Sequence, residues 1–135
     1  MKLHAVALEW VPAVWPQAEP HLAAAFDHSA GDYSVVHAQA LVATGLWQLV
    51  VATDDDGTIR GAATLNYFNR PSDRVAFITG LGGRFVVNRS VLEQLKVIAA
   101  ANGATCVEAA ARQSVARLLR RCGFEEKYTM LGVKL

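Results

Sequence analysis

The chain has 135 residues, 53% hydrophobic and 19% charged, which fits one domain spanning 1–135 and excludes both a second core and a disordered tail. A formal net charge of +1, with no broad basic stripe interleaved with aromatics, excludes nucleic acid as a partner. The longest apolar stretch, 40–52, is broken by Thr44, Gly45 and Gln48, so a membrane span is excluded as well.

Lys2 to Leu8 alternates weakly and predicts a first strand. Glu9 and Pro12 interrupt the apolar run that a signal peptide would need, so a cytoplasmic protein is expected. A helix is predicted over the Ala-rich run His21 to Phe26, with Pro16 and Pro20 making it start late or break. A second short helix is expected over Ser34 to Ala43, with Ser34 as its cap and Gly45 as its stop.

Leu46 to Ala52 reads as a strand, and Asp54 to Thr58 as a solvated turn that hands over to a strand from Ile59 to Phe68. Asn69 to Asp73 is a further turn before the strand Val75 to Leu81, so three consecutive strands form a meander. Ser90-Val-Leu-Glu93 reads as a capping box for a helix that Asn102-Gly103 ends. Thr105 to Ala109 is a short strand, and Val115, Leu118, Leu119 and Cys122 make the apolar face of a last helix, with Gly123 as its left-handed cap. Tyr128 to Lys134 is expected to close the chain as a strand. The order is β-α-α-β-β-β-α-β-α-β, an α/β (α+β) domain.

Charge is distributed unevenly. Residues 1–81 carry four Lys or Arg against eight Asp or Glu, and residues 82–135 carry nine against four. Arg112, Arg117, Arg120 and Arg121 surround the last helix; they read either as a solvated helix end or as a face that meets an anion. Cys106 and Cys122 read as small buried hydrophobes, consistent with a reducing compartment. The four histidines lie within the first 37 residues without metal-ligand spacing, so no metal is expected.

This order, with Ala116-Arg-Leu-Leu-Arg-Arg-Cys-Gly-Phe124 as last helix and turn, resembles the GNAT N-acetyltransferase superfamily. The resemblance implies a mixed, twisted sheet splayed between strands 75–81 and 105–109, with acetyl-CoA as co-substrate in the resulting V. The first of those strands would pair with the pantetheine arm, and N–H groups at the following helix start would meet the pyrophosphate. Thr79, Leu81, Gly82, Gly83, Arg84, Asn88, Arg89 and Arg112 are the cofactor-binding residues this implies. His28, Tyr33 and His37 fall on the acceptor side, where an amine would attack the thioester.

Two departures from the pattern stand out. The segment Gly80 to Ser90 has glycines and arginines, but not the spacing of the usual pyrophosphate loop, and it carries Phe85-Val86-Val87 where the backbone should approach closely. The tyrosine that often protonates the thiolate lies four residues before the glycine of the Gly-Phe turn, and Leu119 stands there. Glu108 as base and Tyr128 as acid are the nearest titratable candidates.

Within the superfamily, Gly82-Gly83-Arg84 with the arginine-rich last helix looks like GNAT-like proteins encoded among phage and prophage genes, internal virion proteins among them. Two readings follow. One is an N-acetyltransferase acting on a primary amine of a small molecule or protein, its activity weakened or lost through the altered loop. The other is a non-catalytic, virion-associated accessory protein that contacts a protein partner, or a second copy in a homo-oligomer, through the cleft or the sheet edge.

Overall fold

In a computed structural model describing residues 1–29, 31–84 and 89–135, five strands form one mixed sheet in the order β1-β2-β3-β4-β5. They are β1 (Lys2–Ala5), β2 (Trp47–Thr53), β3 (Ile59–Asn69), β4 (Arg74–Gly83) and β5 (Cys106–Ala109). The first four are antiparallel neighbours, and β5 joins β4 in parallel. Helices α1 (Val11–Phe26) and α2 (Val35–Ala43) cover one face, where Trp15, Leu22, Phe26 and Val42 meet Trp47, Leu49 and Val51. Helices α3 (Arg89–Ala101) and α4 (Gln113–Arg121) cover the other, where Leu92, Leu95 and Leu119 meet Val50, Leu65 and Ile78. The alternation of β2 explains the two layers: successive side chains enter opposite cores.

The meander follows its turn chemistry. At Asp54–Thr58 the Asp54 carboxylate accepts hydrogen bonds from the Asp56 and Thr58 N–H groups and from Arg60, while Gly57 takes φ 83°. Gly123 takes φ 96° as the expected cap of α4, and the Phe124 N–H reaches back to the Leu119 carbonyl at 3.1 Å.

Three expectations need correcting. First, α1 neither starts late nor breaks, but runs from Val11 to Phe26 through Pro16 and Pro20. Pro12, Pro16 and Pro20 repeat every four residues and all lie on the exposed side, opposite the buried Val11, Trp15, Ala18, Leu22 and Phe26. Carbonyls deprived of an N–H partner can there be hydrated, and burial of the opposite face outweighs the lost bonds. Second, α3 begins at Arg89, so Ser90 lies within the helix and Glu93 pairs with Lys96 at 2.8 Å. Third, Tyr128 to Lys134 forms no strand: residues 125–135 are exposed throughout and, among the described residues, join no ladder.

Candidate functional site

The two parallel strands run together only briefly. Val75, Ala76, Phe77 and Ile78 pair with Cys106, Val107, Glu108 and Ala109, and there β5 ends. Strand β4 continues for five residues to Gly83, held by β3 on one side with no strand partner, among the described residues, on the other. The separation coincides with an irregularity. Leu65 pairs with Ile78 and Thr64 with Gly80, so Thr79 is the extra residue of a bulge in β4. Its hydroxyl turns back to donate to the Thr64 carbonyl at 3.1 Å and to meet the fully buried Thr64 hydroxyl at 2.8 Å. The expected separation of the two strands is thus present, and among the described residues no strand pairs with the second edge of Thr79–Gly83.

The glycines on that edge have a packing cause of their own. A methyl group at Gly82 would stand 2.0 Å from the His21 carbonyl oxygen, and one at Gly80 would stand 2.7 Å from the Phe26 ring. At Gly83, with φ 71°, it would meet the Arg60 carbonyl at 2.5 Å and His21 Nδ1 at 2.7 Å. Gly80, Gly82 and Gly83 therefore let α1 lie directly on β4. The in-plane edge remains for another partner, and Leu81 points to the opposite core.

Beyond Gly83, Arg84 is exposed and its N–H donates to the Arg60 carbonyl at 2.9 Å, closing the end of the β3–β4 pair. Arg89 opens α3 and donates to the Arg121 carbonyl at 3.1 Å, tying the start of α3 to the end of α4. Arg112 is the exposed N-cap residue of α4. Asn88 and Phe85 to Val87 lie outside the described residues.

Of the residues expected on the acceptor side, His28 and Tyr33 sit on the α1–α2 connection and His37 in the first turn of α2. Tyr33 stands edge-on against Trp47 at 4.9 Å between ring centroids, and Trp47 stacks with Phe26 at 6.4 Å. Since Phe26 lies over Gly80, this aromatic row runs from the connection to the point where β4 leaves β5. His28 is exposed, two residues after Phe26. His37 has a local duty the sequence did not announce: its Nδ1 accepts from the Ser34 N–H at 3.1 Å while Ser34 Oγ accepts from the His37 N–H at 3.3 Å. This is a capping box with histidine in the place usually held by Glu or Gln.

Glu108 and Tyr128 lie elsewhere, along a groove of about 930 Å³ between β5, α4 and residues 123–130. None of Thr79–Arg84 lines it. Arg70 grips both oxygens of the Glu108 carboxylate, at 2.5 and 2.8 Å, and Lys127 adds a third contact at 2.8 Å. The Arg70 hydrogen bonds, and then those of Lys127, hold the Glu108 pKa down at about 2 although burial opposes them. Glu108 is therefore a fixed anion at neutral pH and a weak proton acceptor. Burial pushes the neighbouring Cys106 thiol up, so it stays protonated. Tyr128 is 67% exposed, with the Lys127 ammonium 6.0 Å from its ring centroid.

Sequence reasoning missed Phe26 and His21 as neighbours of the β4 edge. Their signal was present in the glycines at 80, 82 and 83, which announce a close approach without naming what approaches.

No protein-family model and no curated protein matches the sequence. Solved structures do match in shape. A probable acetyltransferase superposes with a TM-score of 0.71 at 13% identity, covering 100% of this chain and 97% of its own. The ribosomal-protein-alanine N-acetyltransferase of Brucella melitensis biovar Abortus 2308 gives a TM-score of 0.71 at 12% identity, with both chains covered in full. An aminoglycoside acetyltransferase from an uncultured soil metagenomic sample, in complex with sisomicin, gives 0.71 at 17% identity over 99% of this chain and 95% of its own. Identities this low speak to the fold alone. The chain has the GNAT-like fold, an architecture it shares with these acetyltransferases.

Proposed function

We propose that the chain is an acyl-CoA-dependent N-acyltransferase that moves an acetyl group from acetyl-CoA to a primary amine. The observation that carries this reading is the edge of Thr79–Gly83, without a strand partner among the described residues where β5 ends and bordered at Gly80 by the aromatic row of Phe26, Trp47 and Tyr33. N–H and carbonyl groups of Thr79, Leu81, Gly82 and Gly83 suit the amide-bearing arm of the co-substrate, which would add to the sheet as a short strand does. Arg84 and Arg89, with backbone N–H groups at the start of α3, supply positive charge for its phosphates, Asn88 adds a polar group by sequence position, and Arg112 serves the adenosine end.

On the acceptor side His28, Tyr33 and His37 border the path of the amine. Attack of that amine on the thioester carbonyl forms the amide, and the thiolate departs. A proton must leave the nitrogen and one must reach the sulfur. Glu108, ionised and gripped by Arg70 and Lys127, fits the first task poorly and anchors its end of β5 instead; His28 is the proton acceptor in this reading, and the sulfur takes its proton from water rather than from Tyr128, which lines the separate groove. The phage or virion accessory role has no supporting observation in the fold or in the similar structures.

Calorimetry with acetyl-CoA, followed by thiol release with an aminoglycoside and with an N-terminal-alanine peptide as acceptors, tests the proposal. At a ligand concentration about a hundredfold above Kd, binding should stabilise the fold by about 2.7 kcal/mol. Arg84→Ala should weaken binding by about 10- to 100-fold, the loss of one charge-assisted contact to phosphate. Absence of both heat and melting shift at millimolar acetyl-CoA would sink the reading.

A further inference from the structure

The sheet face on which α1 and α2 rest continues past the end of α1. Trp47, Asn66, Phe77 and Glu108 are register partners on β2, β3, β4 and β5, so they form one row straight across that face. Tyr33 stands against Trp47 at one end of the row. At the other, Arg70 holds Glu108 while lying over the Phe68 ring, 5.3 Å from its centroid, and Phe68 packs with Phe77 at 6.3 Å. Asn66, Phe68 and Phe77 are half-buried, and the Asn66 side chain makes no hydrogen bond among the described residues. A half-buried amide between aromatic neighbours, with no partner of its own, has hydrogen-bonding capacity left for a ligand. Thr79, where β4 leaves its pairing with β5, is two residues beyond Phe77, roughly 7 Å along the strand.

Charge on this face is set by three groups. Arg70 and Lys127 outnumber Glu108, so the far end of the row is net positive. Asp27, His28 and Asp32 of the α1–α2 connection are exposed, and the carboxylates there are screened by solvent.

We propose that this row takes the body of the acceptor, a primary amine carried on a flat apolar or aromatic framework without a second positive charge, and that Asn66 holds its nitrogen. The proposal rests on the transferase reading and names the substrate class of that site. Phe77 and Tyr33 offer ring faces and edges to a flat body, and a second cation would meet the excess charge of Arg70 and Lys127. Asn66 Oδ1 accepts from the amine N–H without a charge that would favour the ammonium form, so the nitrogen can lose its proton and attack. A carboxylate in its place would hold the amine protonated and unreactive.

NMR titration of the isotope-labelled chain with 2-phenylethylamine, with spermidine and with an aminoglycoside, each with and without CoA, tests this. The first amine should bind in the millimolar range and shift the Asn66 side-chain amide, and both polycations should bind at least ~10-fold more weakly. Asn66→Leu should weaken binding of 2-phenylethylamine by about 10- to 100-fold, the loss of one hydrogen bond to a charged group. In thiol-release assays Asn66→Asp should move the rise of kcat to a pH about one unit higher, a shift that a merely structural role would not produce. Polycations that bind as tightly, an Asn66 amide undisturbed both with and without CoA, an affinity unchanged by Asn66→Leu, or a kcat profile unmoved by Asn66→Asp overturns the inference. Should a variant fail to fold, the preference of the parent chain decides. A chain that takes up acetyl-CoA but not 2-phenylethylamine keeps the transferase reading and loses this one. The reverse result removes the transferase reading and leaves the amine site standing.

Discussion

Replacing Gly82 by Ala probes the contact on which the cleft is built. The added methyl would lie 2.0 Å from the His21 carbonyl oxygen and 2.8 Å from its carbon, where ordinary contact begins near 3.4 Å. Both atoms are helix backbone, so no rotamer change relieves the clash, and α1 must withdraw by more than ~1 Å. Withdrawal loosens Trp15, Ala18, Leu22 and Phe26 together, all on the buried face of the helix. Overpacking of this kind costs roughly 3 kcal/mol at the upper end of the usual range, which for a chain of this length lowers Tm by roughly 10 °C. The control is Gly132→Ala, where nothing stands within 4 Å. Thermal melts of both variants, followed by near-UV circular dichroism, measure the effect. Equal melting of Gly82→Ala and Gly132→Ala would refute the reasoning that α1 rests on the β4 backbone.

The Glu108 cluster gives a pH signature. Its carboxyl falls from an ordinary 4.5 to about 2 in the folded chain, so its ion pairs stabilise the fold above about pH 4.5 and are lost as pH falls toward 2. Glu108→Gln should cost about 1–2 kcal/mol at pH 7, reduced by solvent because Arg70 and Lys127 are 34 and 54% exposed. In urea titrations the gap to the parent chain should narrow below pH 4.5, and a gap independent of pH would contradict the assignment. Thr79→Val keeps the bulge residue's shape but removes the hydroxyl that meets Thr64, leaving a fully buried hydroxyl without that partner. A loss of about 1–3 kcal/mol is expected in the same assay, and a change below about 0.5 kcal/mol would show that Thr64 is satisfied elsewhere.

The elements that could be read from sequence are those whose cause is local. Asp54 to Thr58 has the residues to bind its own backbone, Ser34 caps α2, and Gly123 takes the left-handed turn that ends α4, and each forms where the pattern places it. The helix α1 was under-read because a proline rule was applied to each residue singly. The four-residue spacing, which puts every proline on the wet side, is a property of the whole helix. The last strand was over-read for the opposite reason: alternation at Tyr128–Lys134 is a local signal, but a strand exists only through a neighbour, and none of the described residues pairs with this stretch. At the site, the glycines of β4 were legible as places of close approach, but the approaching atoms of His21 and Phe26 lie some 60 residues away in sequence and leave no mark beside them. Glu108 looked like a free base because Arg70 and Lys127, its partners, are brought to it by the fold alone.

The proline ladder of α1 has a consequence for how the α1–α2 connection can vary. Each ring fixes φ before folding begins, so the denatured chain samples fewer shapes over this stretch and loses less on becoming helical. The helix is also docked through backbone atoms, His21 against Gly82, rather than through side chains that drift can easily replace. A strut that is stiff and docked in this way lets the stretch between Phe26 and Tyr33 change in length and polarity while Tyr33 keeps its contact with Trp47 on the sheet. Under the proposed transferase activity, new amine preferences could arise by exchanging that segment alone.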